Sequence, residues 1–572
     1  MTNVKILPEP KSAKYNQQSL NIKKRLSKKF VLTLENNLKD FPKKIERLLA
    51  STGVKVKFIE VDKFSEQEYK IEIGTKGIIV FGGGKSGLLF GFRSLVQILF
   101  QCDNKIPCGV IQDKPDVSTR SFHLDLRTHK YKPAFIKEIF HLLAKFKYNT
   151  VVIEYQDTFP FEKEKFITGD IYYKKEQIAE IKKAAEDNNL ELIPYQNALG
   201  QLDYILGLEP YSSLAEKSTV EHLRGRIIDV SNNKSQKFIA SMLDELAASH
   251  LTKKIFIGNS RISANDTNTN EKHAKFVGAL AKHVANKGKI PIVWADLFLK
   301  FPETVSDLPK KTIIVVRHES SQTELVKQLK FFNEAGYSVA SSAAIFKTPD
   351  NEFACDIERA ITNISEAAKN TKKSPANGLF IYSSVTVDAA PLIPLTGFPV
   401  DLMAGARRMH IFTSLYAIAA AAEFAWNASS PEEKAFSELW TNTFFGSDDK
   451  KLSHIQLLLA KDYFVGATNA EILRDRKKLL KILTELKPSI RKEQLAFLEF
   501  YARLAIHAVH VRQIFSHTPK KQELSLLRTE IARLKAKHTA IMKESLYSRE
   551  IIDEQKYLFG HTETLLKRLT RK

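Results

Sequence analysis

Between residues 119 and 384, short apolar segments alternate with longer segments in which apolar residues recur every three or four positions. Eight of the short segments have the length and β-branched character of buried strands, and nearly all are followed by an amphipathic segment that predicts a helix. The predicted strands are SFHLDL, TVVIEY, LELIPYQ, KKIFIG, IPIVWAD, KTIIVVR, YSVASSA and GLFIYSS. Strands that are buried on both faces and joined through helices form parallel sheets. The pattern therefore predicts an α/β fold built on a (β/α)8 barrel.

The chain before this repeat has a different pattern. An alternating segment at 54–61 predicts a strand, and 69–83 predicts a hairpin. The stretch at 86–101 is apolar on most sides and predicts a buried helix. We expect residues 1–118 to form a small α/β domain.

The chain after the repeat is helical in pattern. The barrel domain is predicted to span 119–430 and to include a long apolar helix at 409–426. Amphipathic segments at 493–515 and 523–544 have helical spacing. We therefore expect residues 431–572 to form a helical C-terminal domain.

Composition and charge exclude some classes of protein. The chain has 572 residues, of which 43% are hydrophobic, so it is long enough for several cores and is not globally disordered. It has no apolar run of membrane-spanning length, so we expect no membrane span. The N-terminus has no apolar signal segment, which favours a cytoplasmic location, with a mature secreted form as the alternative.

The net charge is +22, which would attract polyanions such as nucleic acid. The lysines are spread along the whole chain, however, and no basic block is interleaved with aromatic residues. A generally lysine-rich composition explains the charge equally well. Polyanion binding is therefore kept only as the weakest of three functional hypotheses.

The sequence predicts no cofactor and no metal ion. The segment GGGKSG at 82–87 is similar to a phosphate-binding loop, but Ile79 stands where that motif requires a glycine. A turn between a strand and a helix is the simpler interpretation. The histidines and acids show no spacing typical of metal ligands.

Active sites on barrels of this kind lie at the carboxyl ends of the strands. The polar and aromatic residues just past the predicted strands are therefore expected to line one mouth and to bind substrate. They are Asp125, Arg127, Glu154, Asp157, Asn197, Gln201, Trp294, Asp296 and Glu319. Carboxylates that accept hydrogen bonds from hydroxyls, together with an aromatic ring, are typical of glycan sites. For each single residue the alternative is a helix cap or an ion pair with arginine inside the barrel.

Four segments resemble family 20 glycoside hydrolases, the β-N-acetylhexosaminidases, and are most similar to their hexosaminidase D branch. The first is ILPEPKSAKY with FGGGKSGLLFGFRSLVQILFQ and GVIQDKPDVSTRSFHLDL, which resembles the small domain before the barrel. The others are NTVVIEYQDTFPFE, LELIPYQNALGQLDYIL and AEFAWNASSPEEKAFSELWTNTFFG. The resemblance covers about residues 5–446. It implies an N-acetylhexosamine-containing glycan as the partner of the barrel mouth.

The sequence departs from the family at the reaction centre. The family's fourth strand ends in an Asp-Glu pair, and the matching positions here are Ser260 and Arg261. The family's Gly-His after the third strand is Gly200-Gln201 here, and Ser384 stands in place of a tryptophan. Matching residues remain elsewhere, at Asp125, Glu154, Asp157, Trp294 and Asp296.

These departures affect the chemistry that the resemblance implies. In the family, the substrate's own acetamide oxygen attacks the anomeric carbon, the Asp stabilises the resulting cation, and the Glu protonates the leaving oxygen. Ser260 supplies no negative charge, and Arg261 is too weak an acid to give up a proton near neutrality. General acid–base assistance alone is worth about 10²–10⁴ in rate. The leading hypothesis is therefore a glycan- or protein-binding pseudoenzyme.

The alternative is an active β-N-acetylhexosaminidase-type glycosidase that uses relocated carboxylates. Asp266 lies five residues after Arg261 in a polar segment, and Glu154 ends the second predicted strand. Either could act as the acid from a new position. An aspartate in a segment rich in Ser, Asn and Thr is more often a turn or helix cap.

Overall fold

The computed structural model describes most of the chain. The described residues are 4–22, 26–34, 38, 40–102, 104–127, 129–217, 225–259, 270–318, 322–345, 357–382, 410–429, 433–447, 449–460, 468–486 and 492–570.

A five-stranded mixed sheet with three helices forms the N-terminal part. Its strands are β1 (Ser12–Asn21), β2 (Val56–Glu60), β3 (Tyr69–Gly74), β4 (Gly77–Gly82) and β5 (Lys105–Asp113). Its helices are α1 (Lys28–Leu34), α2 (Lys43–Ala50) and α3 (Lys85–Gln101). The strand order is β1-β5-β3-β4-β2. The predicted hairpin and buried helix are confirmed, whereas β1 and β5 were not predicted.

The glycine-rich segment is a turn between β4 and α3, as the sequence indicated. A Cβ atom at Gly83 would lie 1.9 Å from the backbone oxygen of Ser65. The glycines therefore allow the chain to approach its neighbour closely before α3 begins.

Eight parallel strands close into a barrel, which confirms the predicted fold. They are β6 (Thr119–Asp125), β7 (Thr150–Glu154), β8 (Glu191–Asn197), β9 (Lys254–Gly258), β10 (Ile290–Trp294), β11 (Ile313–Arg317), β12 (Ser338–Ala344) and β13 (Gly378–Tyr382). Pairing of β13 with β6 completes the circle. The strands are short and almost wholly buried, as expected for strands covered by helices on one face and by barrel side chains on the other.

Helices of the barrel region cover the outside of the strands. They are α4 (Pro133–Lys145), α5 (Lys175–Asp187), α6 (Asp203–Leu206), α7 (Asn233–Ser249), α8 (Glu271–Asn286), α9 (Asp296–Lys300), α10 (Gln322–Glu334), α11 (Ile357–Lys372) and α12 (Leu415–Trp426). The apolar helix predicted at 409–426 begins only at Leu415, after a short 3-10 turn at Ile411–Thr413. The side chain of His410 accepts a hydrogen bond from the Phe412 amide and so caps that turn.

In the described part of the chain, six α-helices follow the barrel. They are α13 (Glu433–Trp440), α14 (Lys450–Ala460), α15 (Asn469–Glu485), α16 (Lys492–Phe515), α17 (Lys521–Met542) and α18 (Ser548–Thr570). Their apolar faces join the main hydrophobic core that surrounds the barrel. None of the helices in the described part of the chain combines the length and the apolar character that crossing a membrane requires.

A buried polar group joins the sheet, the barrel and α12. The carboxylate of Asp113 accepts hydrogen bonds from Tyr69 Oη and Trp426 Nε1, each at 2.8 Å. Lys147 Nζ lies 3.6 Å from the same carboxylate, and the Arg120 guanidinium stacks 4.8 Å above the Trp426 ring. Burial raises the pKa of Asp113 and lowers the pKa of Lys147 to about 8. The ionised form of each group is therefore stabilised by the opposite charge of the other, because neither group is solvated by water.

We expect Asp113→Asn to destabilise the protein by about 3–5 kcal/mol, because it leaves the buried Lys147 ammonium without its anion. The measurement is the midpoint of urea unfolding. Asp307→Asn is the control, since Asp307 pairs with Lys282 at the surface, where such a pair is worth about 0–1 kcal/mol. Equal midpoints for the two variants would contradict the role of Asp113.

His250 makes the stability of the fold sensitive to acid. Its Nδ1 lies 3.0 Å from the Leu246 carbonyl and its Nε2 lies 3.2 Å from the Tyr155 hydroxyl, so both ring nitrogens are used by the neutral form. Burial lowers the pKa of His250 from 6.5 to about 4. Between these values the unfolded chain binds a proton that the folded chain does not, so stability falls as the pH falls.

His250→Gln is therefore expected to reduce the loss of stability between pH 6.5 and 4 by about 3 kcal/mol. Urea unfolding at several pH values measures this difference. His517→Gln, which alters a half-exposed histidine beside Glu523, should change the pH profile much less. An unaltered profile for His250→Gln would show that the acid sensitivity arises elsewhere.

Candidate functional site

The alternation of side chains along the strands defines the floor and the mouth of the barrel. The interior is filled by a separate cluster of apolar side chains. Its members are Val152, Ile193, Tyr195, Phe256, Ile292, Trp294, Val315, Ala340 and Phe380, with Ile313 and Tyr382 packed against them. Because successive strand residues face opposite sides, the positions two residues further along face the mouth. By this rule Glu154, Asn197, Gly258 and Arg317 are mouth positions.

Arg127 lies at the centre of the described mouth. Its Nε is 2.9 and 3.0 Å from the two oxygens of Asp125, and its Nη2 donates to Oδ2 at 2.6 Å. Its Nη1 donates to Gln201 Oε1 at 2.5 Å, and its Nε lies 3.3 Å from Glu154 Oε1. One guanidinium therefore connects residues from three consecutive strand ends.

The charges in this cluster stabilise each other. Burial opposes ionisation of Asp125, but the adjacent Arg127 outweighs it and lowers the pKa of the carboxyl group below its ordinary value. Burial likewise opposes the charge on Arg127, while Asp125 and Glu154 raise its pKa well above the ordinary value. Both groups stay ionised at neutral pH.

Glu154 is 1% exposed and is surrounded by polar groups. Its Oε1 accepts hydrogen bonds from Asn197 Nδ2 at 2.6 Å and from Gln156 Nε2 at 2.9 Å. Its Oε2 lies 3.2 Å from His123 Nε2. The His123 ring stacks on Tyr382 with a centroid distance of 4.7 Å. A buried histidine and carboxylate thus form the base of the mouth.

Trp294 is buried beneath the mouth, on the side of the barrel opposite β6. Trp294 Nε1 donates to Tyr195 Oη at 3.4 Å, and Tyr195 Oη donates to Asn197 Oδ1 at 3.2 Å. The guanidinium of Arg317 lies over the Trp294 ring, 4.2 Å from its centroid, and 3.5 Å from Asp296 Oδ2. Asp296 itself is half exposed at the rim.

Asp157 lies in a short 3-10 turn after β7. Lys130 donates to its Oδ2 at 2.5 Å, so this acid also has a cationic partner. Like Arg127, Lys130 belongs to the loop between β6 and α4.

The predicted site residues fall into three groups. Asp125, Arg127, Glu154, Asn197 and Gln201 form one hydrogen-bonded cluster. Trp294 with Asp296 forms a second group through Arg317, and Asp157 with Lys130 forms a third. The remaining predicted positions lie outside the described residues, and they are Ser260, Arg261, Asp266, Glu319 and Ser384.

Sequence reasoning missed His123, Tyr195 and Tyr382. Each lies at or near the end of a strand, two positions before a residue that was predicted, and the alternation along a strand therefore predicts that it faces the same side as that residue. Counting every second residue back from Asp125 and Asn197 would have found the first two. Within the described part of the chain, no three His, Cys, Asp or Glu side chains are grouped so as to hold a metal ion.

Comparison with known proteins relates this fold to a family. Residues 3–114 match the model of glycosyl hydrolase family 20, domain 2. Lacto-N-biosidase of Bifidobacterium bifidum is 24% identical over 253 residues, which are 41% of this chain and 23% of that protein. Hexosaminidase D of Bos taurus is 24% identical over 302 residues, which are 49% of this chain and 84% of that protein.

A solved structure shares the architecture. The β-N-acetylhexosaminidase from Bacteroides fragilis superposes with a TM-score of 0.56 at 17% identity, over 78% of this chain and 96% of that one. At this identity the superposition establishes the fold alone. The N-terminal residues thus match one domain of glycosyl hydrolase family 20, and the chain is similar in sequence to hexosaminidase D and in fold to a β-N-acetylhexosaminidase.

Gly258 is required for the wall of the mouth. A Cβ atom there would lie 2.4 Å from Tyr195 Oη and 2.8 Å from Asn197 Oδ1. We expect Gly258→Ala to destabilise the protein by about 1–3 kcal/mol, because the rigid ring must move. Chemical unfolding measures the effect.

Gly560→Ala is the control for that experiment. Gly560 lies within α18, and a Cβ atom there would meet nothing within 4 Å. This variant should gain up to about 1 kcal/mol from helix propensity. If both variants were equally stable, Tyr195 would not be fixed against β9.

Proposed function

We propose that this protein belongs to glycosyl hydrolase family 20, binds an N-acetylhexosamine-containing glycan at the barrel mouth and lacks ordinary hexosaminidase turnover. One observation carries the proposal. Each of the four predicted acidic site residues that the structure describes lies against a cation or a histidine. The pairs are Asp125 with Arg127, Glu154 with Arg127 and His123, Asp157 with Lys130, and Asp296 with Arg317.

Such pairing works against proton donation to a leaving sugar. A general acid must hold its proton near neutral pH, which requires a carboxyl pKa raised above its ordinary value. A cation beside a carboxylate has the opposite effect. At Asp125 the pKa is lowered. The sequence adds a second reason, since Ser260 and Arg261 stand where the family has its acidic pair.

The same cluster suits the binding of hydroxyl groups. A guanidinium and carboxylates held in fixed positions offer donors and acceptors in a geometry that sugar hydroxyls can share with water. Trp294 is 1% exposed and lies beneath Arg317, so it supports the mouth from below and leaves the hydrogen-bonding groups to contact the sugar. The site can therefore bind sugar hydroxyls although, in its described part, it has no carboxylic acid to protonate a leaving group.

A second candidate function is a glycosidase with a relocated acid. It is favoured by the contact between His123 and Glu154, because a buried histidine and carboxylate at 3.2 Å are suited to moving a proton. Glu154→Gln would then abolish turnover. Asp266→Asn tests the other substitute that the sequence offers.

The test uses the full purified chain with chromogenic N-acetylglucosaminide and N-acetylgalactosaminide substrates. We expect no turnover above background. We also expect free N-acetylglucosamine or N-acetylgalactosamine to stabilise the fold, by about 2.7 kcal/mol at a hundredfold excess over Kd. Thermal unfolding with increasing sugar measures this effect.

Arg127→Met should weaken sugar binding at least about tenfold and so reduce the stabilisation by sugar. Arg474→Met is the matched control, because Arg474 is an exposed arginine on α15 that pairs with Asp475. Turnover that is lost in Glu154→Gln or Asp266→Asn would establish the second candidate instead. If the chain shows no turnover and no stabilisation by sugar, a protein-binding role is favoured. Salt-sensitive retention on heparin would favour polyanion binding.

A further inference from the structure

The loop between β6 and α4 carries two cations of the mouth and also contacts the C-terminal helices. We name its described residues 126, 127 and 129–132 the mouth loop. On one side Arg127 joins the Asp125 cluster and Lys130 donates to Asp157. The other side of the loop meets a region more than 400 residues later in the chain.

The turn between α17 and α18 docks on the mouth loop. The backbone amide of Lys132 donates to the Ser545 carbonyl at 2.8 Å, and its Nζ donates to the Lys543 carbonyl at 2.5 Å. Tyr131 forms an antiparallel bridge with Leu546. Apart from the Lys132 ammonium, these contacts use backbone groups, so they hold the loop without specifying most of its side chains.

Glu554 of α18 makes a contact of a different kind. Its Oε1 lies 3.6 Å from His129 Nε2 of the mouth loop, and its Oε2 lies 3.3 Å from His538 Nε2 of α17. Glu554 and His538 are 0% exposed and His129 is 1% exposed. The carboxylate therefore sits between a barrel histidine and a helix histidine, with no access to water.

Other titratable groups surround this carboxylate. His410 lies with its ring 6.0 Å from that of His129, and its Nε2 is 3.1 Å from Ser545 Oγ. The buried hydroxyls of Tyr131 and Tyr501 face the same region. Burial alone would raise the pKa of Glu554, but His129 and His538 lower it well below the ordinary value, so the group remains a carboxylate.

Packing two elements together around a buried carboxylate is unfavourable, because removing the charge from water costs free energy. Apolar side chains of similar volume would hold α18 on the barrel as well or better. The ion does something that they would not, since its charge attracts one particular imidazole ring, that of His129, and so favours one position of that ring. That ring belongs to the residue two positions after Arg127.

We propose that Glu554 is a positioning residue for the mouth, which holds Arg127 and Lys130 in their binding geometry through His129. The C-terminal helices are then part of the binding site. The proposal rests on the proposed glycan binding at this mouth for its functional consequence. The positioning of the loop can be measured independently of any sugar.

Hydrogen exchange of the full chain tests the positioning. In Glu554→Gln, peptides that cover the mouth loop should exchange about tenfold faster than in the wild type. Glu530→Gln is the matched control, because Glu530 also lies between two histidines, His507 and His510, at 3.2 and 3.4 Å within the C-terminal helices. In that variant the mouth loop should exchange as in the wild type. Unchanged exchange in Glu554→Gln, or an equal increase in both variants, would overturn the proposal.

Sugar binding tests the functional consequence. Glu554→Gln should weaken N-acetylglucosamine or N-acetylgalactosamine binding about tenfold. In an Arg127→Met background the same change should weaken binding by clearly less than tenfold, because one of the two groups that it positions is already absent. A general loss of stability would instead weaken both backgrounds alike, and that result would contradict positioning.

Two further outcomes are distinguishable. A wild-type chain that binds neither sugar disproves the proposed function, while loop exchange still decides the positioning. Should Glu554→Gln not fold, His129→Gln breaks only the barrel side of the contact and keeps Glu554 with His538. It is expected to release the loop in the same way, and a loop that stays protected in this variant would overturn the proposal.

Discussion

Asp113 is the anion around which the sheet, the barrel and α12 assemble. It receives hydrogen bonds from Tyr69 of the sheet and Trp426 of α12, and it lies against Lys147 at the start of a barrel unit. The ammonium is also 4.4 Å from the Trp426 ring. Because these groups are excluded from water, they are favourable only when all of them are in place. The three parts of the chain are therefore constrained to meet in one arrangement.

That constraint lies at the amino ends of the barrel strands, whereas the candidate site lies at their carboxyl ends. Strand β6 joins the two. It begins beside Arg120, whose guanidinium donates to the carbonyls of Lys147 and Val117, and it ends at Asp125 in the mouth. Because the parallel strands pair in a closed ring, the position of β6 also fixes where the other seven strands end. The fold thus separates the residues that fix the assembly from those of the candidate site.

The sequence predicted the barrel because buried parallel strands are short apolar runs that need no long-range information to recognise. It did not predict β1, which is the edge strand of the N-terminal sheet and has mostly exposed polar residues in the stretch SAKYNQQSLN. Pairing with β5 stabilises that strand, and no local pattern reveals it. Asp125, Glu154 and Asn197 could be predicted as site residues, because each lies at the carboxyl end of a predicted strand. The contact between His129 and Glu554 could not be predicted, because helix packing alone brings residues so distant in the chain together.

The fit between Tyr195 and Gly258 restricts the order in which this mouth could have changed during evolution. The tyrosine ring occupies the volume that any side chain at position 258 would need. Enlarging residue 258 while Tyr195 and Asn197 are present lowers stability, so the change is easier after smaller residues have replaced them. These positions are therefore epistatically coupled, and the order of substitutions decides how much stability ancestral or engineered versions of this barrel lose.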